Sequence, residues 1–497
     1  MALLPKLTSA AIPLLLCIPF VCALPPFNST STTTSTLDVT GSPHIRYTRT
    51  LWDIIWSCAL TLFTCTWTAI HPNIPGMDEG RIIIFFRRLF IMVLALIAPE
   101  LMVTWAAIQF LSARDTAKTF RAQSYQVRGA PHSSEWTVTH GFFAWMGGFM
   151  LYLDDEPQTT SLPMEREDFV NEGSVEMSTI EDTETEGRSE SDALSGGITN
   201  NLRPNAPHVA SRTFRAPLTP KELKFFVDKG SVDMPVIEEA DIEGRSKGDA
   251  LSKGIAILQL GWFVLQLVAR YIQQLPVTLL EIDTLAIVSL ACIASCLWWK
   301  KPKDVRRPCL IRWKIKTPPE VLTYEKKNSA FSLHNLHDYL VVLIYPLRSL
   351  MGTAVIISPW AVRAHRIPSL GGYADNFRHG PNHVITLILG CSSAVIYGGL
   401  HFLGWHYLFE GHTQQVLWRV ASIVIASASV PLLLTFSVVI SFDFKEDSWA
   451  VKLAVVTAAF IYITTRITII VLIVSSLRSL PPGAYDTVAW TTFIPHF

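Results

Sequence analysis

The chain is predicted to be all-α, a polytopic transmembrane helix bundle of seven to nine spans with a long, partly disordered cytoplasmic loop. Three observations predict it. Of the 497 residues 49% are hydrophobic and only 16% charged, with a mean hydropathy of +0.32, whereas soluble domains carry about 25% charge. The apolar residues fall in runs of about 20, the length that crosses a hydrocarbon core as a helix. The remaining charge is segregated, acid in one loop and base in another, so the formal net charge of zero gives no argument for a nucleic-acid partner.

In chain order, residues 1–23 form a secretory signal peptide: Lys6 opens them, an apolar stretch follows from Ala10 to Cys22, and Val21 and Ala23 stand at −3 and −1. Residues 24–50 are a Ser/Thr-rich luminal segment with little to bury, and Asn28 heads the glycosylation sequon Asn28-Ser29-Thr30. A first membrane block, residues 51–153, holds three spans at 51–70, 89–111 and 136–153. The third carries His140 and a Gly147-Gly148 pair that would let helices approach closely. An acidic loop occupies 154–253. A membrane helix pair follows at 254–299, with runs at 254–275 and 285–299. Residues 300–337 are a basic cytoplasmic loop.

The C-terminal membrane block, 338–477, has runs at 384–405, 417–442 and 450–477. Its run 339–360 is interrupted by Pro346 and Arg348, which suits a re-entrant or interfacial segment as well as a span. Residues 478–497 form an aromatic tail, opened by Pro481-Pro482-Gly483, that is expected to pack back on the bundle or the interface.

A cleaved leader puts the mature N-terminus outside, so Arg81, Arg87 and Arg88 fall inside. If 136–153 crosses, the acidic and basic loops fall inside too, as the positive-inside rule prefers. That assignment leaves Arg114, Lys118, Arg121 and Arg128 outside, against the same rule.

The acidic loop contains a tandem duplication. Residues 163–198 align without gaps to 220–255, and 20 of 36 positions are identical. After Ile255 the chain enters a membrane helix that Asp249 or Ser252 could cap; after Ile198 it enters turn-forming TNNLRPNAP. Only the second copy therefore stands in its working context, and the first is expected to be dispensable.

The stretches TLWDIIWSCALTLFTCTWTAIHPNIP, WTVTHGFFAWMGGF, EGRSKGDALSKGIAILQLGWFVLQ, WWKKPKDVRRP and PPGAYDTVAWTTFIPHF carry a resemblance. With them, the chain resembles a large family of uncharacterised multi-pass membrane proteins abundant in mushroom-forming fungi. The resemblance implies membrane topology and a fungal source, and no activity, cofactor or catalytic residue.

Ionisable residues inside spans are functional candidates because of their cost in hydrocarbon. Glu100 follows Pro99 in a predicted span, and Arg270 and Arg466 are its candidate partners, Arg466 first. His401 and His406 are five apart rather than four, which argues against a helical two-histidine metal seat, and the cysteines show no metal or disulfide spacing. No cofactor and no metal ligand is predicted. Asp53, beside Trp52 and Trp56, reads as a helix cap or anchor. Lys300, Lys301, Lys303, Arg306 and Arg307 could meet anionic lipid headgroups, and the acidic loop could meet a cytoplasmic protein. No P-loop, dinucleotide turn or nucleophile elbow is present. The expectation is a non-enzymatic receptor, sensor or scaffold in the plasma membrane or an endomembrane. The alternative is a small-solute transporter or channel built on Glu100 and the intramembrane arginines.

Overall fold

A computed structural model describes residues 48–128, 136–153, 214–246, 249–315, 317, 319, 322, 365–369, 381–441 and 449–488. The leader, Asn28, the first copy of the repeat and the run 339–360 lie outside them. Helix α1 (Leu51–Ala69) begins where Thr50 and Asp53 cap each other's backbone N–H groups, so Asp53 is a cap as expected. Helices α2 (Arg81–Ile97) and α3 (Pro99–Arg128) meet at Ala98 with a bend of 115°. The cause is local: Ala98 leaves helical geometry (φ −139°, ψ 69°), and Pro99 has no N–H to return to the preceding turn.

The third predicted span does not form. Helix α4 (Val138–Trp145) has eight residues, about 12 Å at 1.5 Å per residue, too short to cross. The Gly147-Gly148 pair makes the turn that ends it, with Gly147 at φ +89°, rather than a helix contact. The chain then forms strand β1 (Phe149–Leu153). With β2 (Phe214–Pro217) and β3 (Cys309–Arg312) it makes a sheet of order β2-β1-β3, β1 parallel to β3 with Phe149 opposite Cys309. FMLYL looks like the end of a span because a strand buried on both faces is as continuously apolar as a membrane run. The all-α expectation is therefore corrected to a mostly helical chain with one small sheet.

The second copy of the repeat becomes α5 (Pro220–Asp228), α6 (Glu239–Gly244) and the start of α7 (Asp249–Ile272). Thr219 and Glu222 form the capping box of α5. His140 Nε2 lies 2.8 Å from the Ile237 carbonyl, and Phe226 packs edge-on against Trp313. Helices α8 (Leu279–Leu297), α9 (Pro381–His401), α10 (His412–Ser441, with Pro431 inside) and α11 (Trp449–Ser476) complete the bundle. Its core gathers around Trp105, Trp298, Tyr397 and Trp418, all fully buried.

Among the described residues, four segments are long and apolar enough to cross a membrane: Leu251–Ile272, Leu279–Leu297, Val384–Gly404 and Val456–Ser476. The bent α2–α3 pair would be a fifth. Seven to nine spans are not supported. The run at 51–70 does form a helix over Leu51–Ala69, but Asp53, Ser57 and the threonines dilute its apolar content.

The C-terminal tail packs back as expected over the residues described. Thr48 bridges to Asp486, and Ala484 is buried against Ile54.

Candidate functional site

Three helices bring ionisable side chains together inside the bundle. On α8, Thr278 and Glu281 form a capping box, which starts the helix early enough to put Asp283 in its second turn. On α9, Tyr397 and His401 are one turn apart and share a face, as Tyr462 and Arg466 do on α11. The Tyr397 hydroxyl donates to Asp283 Oδ1 at 3.0 Å, and His401 Nε2 stands 3.1 Å from the same oxygen. Arg466 NH1 lies 3.6 Å from it, with the guanidinium 4.7 Å over the Tyr397 ring.

The break before Pro99 supplies further acceptors. Arg466 donates through Nε to the Ile97 carbonyl (2.9 Å) and through NH2 to that of Leu96 (2.7 Å), and the Tyr462 hydroxyl donates to Ile97 at 3.1 Å. Tyr462 also meets the carboxyl of Glu100, the second residue of α3. Glu100, Asp283, Tyr397, His401 and Arg466 are all buried.

The imidazole of His401 is placed between two acceptors, because Nδ1 faces the Tyr397 carbonyl at 2.8 Å while Nε2 faces Asp283. The cluster thus sets the Arg466 guanidinium and the His401 ring against the Asp283 carboxylate, with the Glu100 carboxyl beside Tyr462. Such a set can clamp helices or hold a proton.

The structure thus places two of the three sequence candidates, Glu100 and Arg466, at one site. Arg270 lies elsewhere: it donates to the carbonyls of Pro276, Gly483, Ala484 and Asp486. Beside it Arg49 forms a two-pronged pair with Glu281, the shorter contact 2.6 Å. These contacts fasten Arg49 and residues 483–486 to α7 and α8. Sequence reading missed Asp283, Tyr397, Tyr462 and the role of His401. The Thr278-x-x-Glu281 spacing is the sign that would have moved the start of α8 back from 285 and brought Asp283 inside the helix.

The basic segment after α8 also divides. Lys301 is buried, its ammonium donating to the His71 carbonyl (2.5 Å), Gln109 Oε1 (2.8 Å) and Asn73 Oδ1 (3.2 Å), beside the packed Trp105 and Trp298 rings. Lys303 is buried and reaches the Thr68 carbonyl. Lys300 pairs with Glu239 and Glu243. Lys300, Arg306 and Arg307 are the exposed members.

Burial pushes the Lys301 ammonium down to about 7 from its ordinary 10.5. Between those values the unfolded chain holds the extra proton, so raising pH favours folding, and this stabilisation is lost as pH falls toward 7. Unfolding in detergent at pH 7 and pH 9.5 should show the wild-type chain gaining more stability than Lys301→Met; equal gains would refute the assignment.

No curated protein and no solved structure matches the chain. A family model matches residues 15–185 and 188–338, more than half of its length. The chain belongs to that family, a family of unknown function (DUF8562).

Proposed function

We propose that the chain is an integral membrane protein of the secretory pathway that acts without catalysis, as a receptor, sensor or scaffold. One observation supports this reading most: the charged cluster inside the bundle is buried, and its side chains engage one another and the helix carbonyls at the α2–α3 break. Buried charges matched in this way fix one helix arrangement. A transport site has to be reached by its solute.

The small-solute transporter is the second reading, favoured by the broken α2–α3 pair. Interrupted helices beside ionisable groups are how many transporters build a site. Purified protein in sealed liposomes, given proton, sodium or potassium gradients and a fluorescent reporter, decides between them. No flux above empty liposomes is expected; flux that Asp283→Asn abolishes would establish transport instead.

The leader, the glycan at Asn28, the fungal source and the duplicated loop belong to the same proposal, with Arg306 and Arg307 offered to anionic lipid. The fold changes how the duplication should be tested. Removing 163–219 would also delete β2 and Thr219, the cap of α5. Removing 157–213 spares both. The shortened chain is expected to insert and to keep its unfolding midpoint within about 0.5 kcal/mol, the range of neutral surface changes. Loss of the folded species on size exclusion would show that the first copy is needed.

A further inference from the structure

We infer that α2 and α3 form a re-entrant hairpin, entering and leaving the membrane from the side that carries residues 298–315, with the exposed apolar face of α2 against that leaflet. The inference rests on the membrane reading above.

The two ends of the bundle can be told apart by their contacts. At one end lie the start of α1, the end of α7, the start of α8 and the segment after α11, tied by Arg49 to Glu281 and Ala484 and by Arg270 to Gly483. At the other lie the end of α1, the start of α7 and the end of α8. There Lys303 reaches Thr68, Lys253 reaches the Trp299 carbonyl, and Ser246 accepts from the Lys303 N–H.

Both limbs of the hairpin are anchored at this second end. From α2, Arg88 donates to Asp304 (2.8 Å) and to the Trp67 carbonyl (3.0 Å). From α3, Gln109 accepts from Lys301 (2.8 Å) and from the Trp298 indole (2.9 Å). A broken span would anchor its limbs at opposite ends. The angle agrees: a 115° change of direction exceeds a right angle, so the chain turns back along its own path.

The depth agrees as well. Ten residues separate Gln109 from Pro99, about 15 Å of helix, half of the roughly 30 Å hydrocarbon core. The tip therefore stops near the middle, where Arg466 and Tyr462 take up the carbonyls that the break leaves open. Irregular backbone is tolerated at such depth only when protein covers it.

The occupant of the outer face of α2 is the lipid of that leaflet. Ile82, Ile83, Phe85, Phe86 and Phe90 are all more than half exposed, while Arg87 and Arg88 turn to Glu79 and Asp304. An apolar face with its basic residues held toward the polar end is what a helix set into one leaflet requires.

With the hairpin not crossing, the four apolar segments in α7, α8, α9 and α11 cross; we take α1 and α10, which are not among those four, to complete the path between the two ends. Arg114, Lys118 and Arg121 then lie on the same side as Arg81 and the basic segment, which removes the conflict with the positive-inside rule. Under the leader reading that side is the cytosol.

The test is labelling in sealed vesicles with a membrane-impermeant maleimide, on full-length protein carrying Cys309→Ser and one added cysteine. Asp78→Cys, Lys118→Cys and Asp304→Cys, all at exposed positions, should react from one compartment and Arg478→Cys from the other. Lys118→Cys reacting with Arg478→Cys, opposite Asp78→Cys, would overturn the hairpin. Trypsin on the unaltered chain gives a second readout, since cleavage after Lys118 should require access from the Asp304 side; cleavage from the Arg478 side would overturn it as well. Failure of the membrane reading looks different: all four cysteines would react in intact vesicles, and alkaline carbonate would release the protein.

Discussion

Asp283→Ala is expected to lower the unfolding free energy in detergent by about 3–5 kcal/mol, the cost of removing one member of a buried ion pair. The carboxylate accepts from Tyr397, meets the His401 ring and pairs at longer range with Arg466, so its loss leaves a hydroxyl, an imidazole and a guanidinium facing a void inside the bundle. The size of the effect comes from what is left behind rather than from the pair itself. Replacing the set with uncharged residues of similar volume, Asp283→Leu with His401→Leu, Arg466→Met, Tyr397→Phe and Glu100→Gln, should recover part of the loss, less the cost of the Leu96 carbonyl that Arg466 no longer meets. The comparison also separates a clamp from a proton site, because a clamp can be rebuilt in hydrocarbon and a proton site cannot. A loss below about 1 kcal/mol for the single substitution, read from denaturant midpoints, would show that Asp283 does not hold the cluster.

How far this cluster was legible depended on the kind of cue each residue carries. Glu100 and Arg466 stood out because a charge inside a long apolar run has few innocent explanations. Pro99 lies inside the run 89–111, which reads as one span, whereas the chain forms two helices that meet there at 115°. Asp283 was hidden because the apolar run was taken to start at 285, while a capping box at Thr278 started the helix earlier. The spacing of His401 to His406 carries no information, since α9 ends at His401, whose partner Asp283 lies 118 positions away. Lys301 looked like one charge among several in a loop. Its burial depends on Gln109 and on the loop at His71 to Asn73, which no local pattern reveals.

The fold shows the same division. Apolar runs located α1, α7, α9, α10 and α11 because the period and length of a membrane helix are written locally. The run at 136–153 misled because length and hydrophobicity do not distinguish a span from a short helix, a glycine turn and a buried strand. The α2–α3 elbow was partly visible: Pro99 can bend a helix, but the hand of the turn depends on Arg88 meeting Asp304 and on Gln109 meeting Lys301.

Gly141→Ala reverses an ordinary rule, and the reversal measures how tightly α4 is seated on α3. In a helix interior, alanine is usually better than glycine by about 1 kcal/mol. At Gly141 an added Cβ would stand 2.0 Å from the Ala113 carbonyl oxygen and 2.7 Å from its carbonyl carbon. Those are backbone atoms of α3 that no rotamer change can move. Either α4 shifts or α3 bends, and overpacking of this kind costs about 1–3 kcal/mol and occasionally more. The substitution is therefore expected to destabilise by about 3 kcal/mol despite its gain in helix propensity. A shift of α4 would also pull His140 from the Ile237 carbonyl and Thr139 from Glu239, so the strain should spread to the second copy of the repeat. Amide hydrogen exchange across 220–244 should rise in Gly141→Ala, while Gly244→Ala, where a Cβ meets nothing within 4 Å, should leave exchange unchanged and stability equal or higher. Equal stability for the two variants would mean that α4 is free to move away from α3, and the close helix contact would then carry no structural weight.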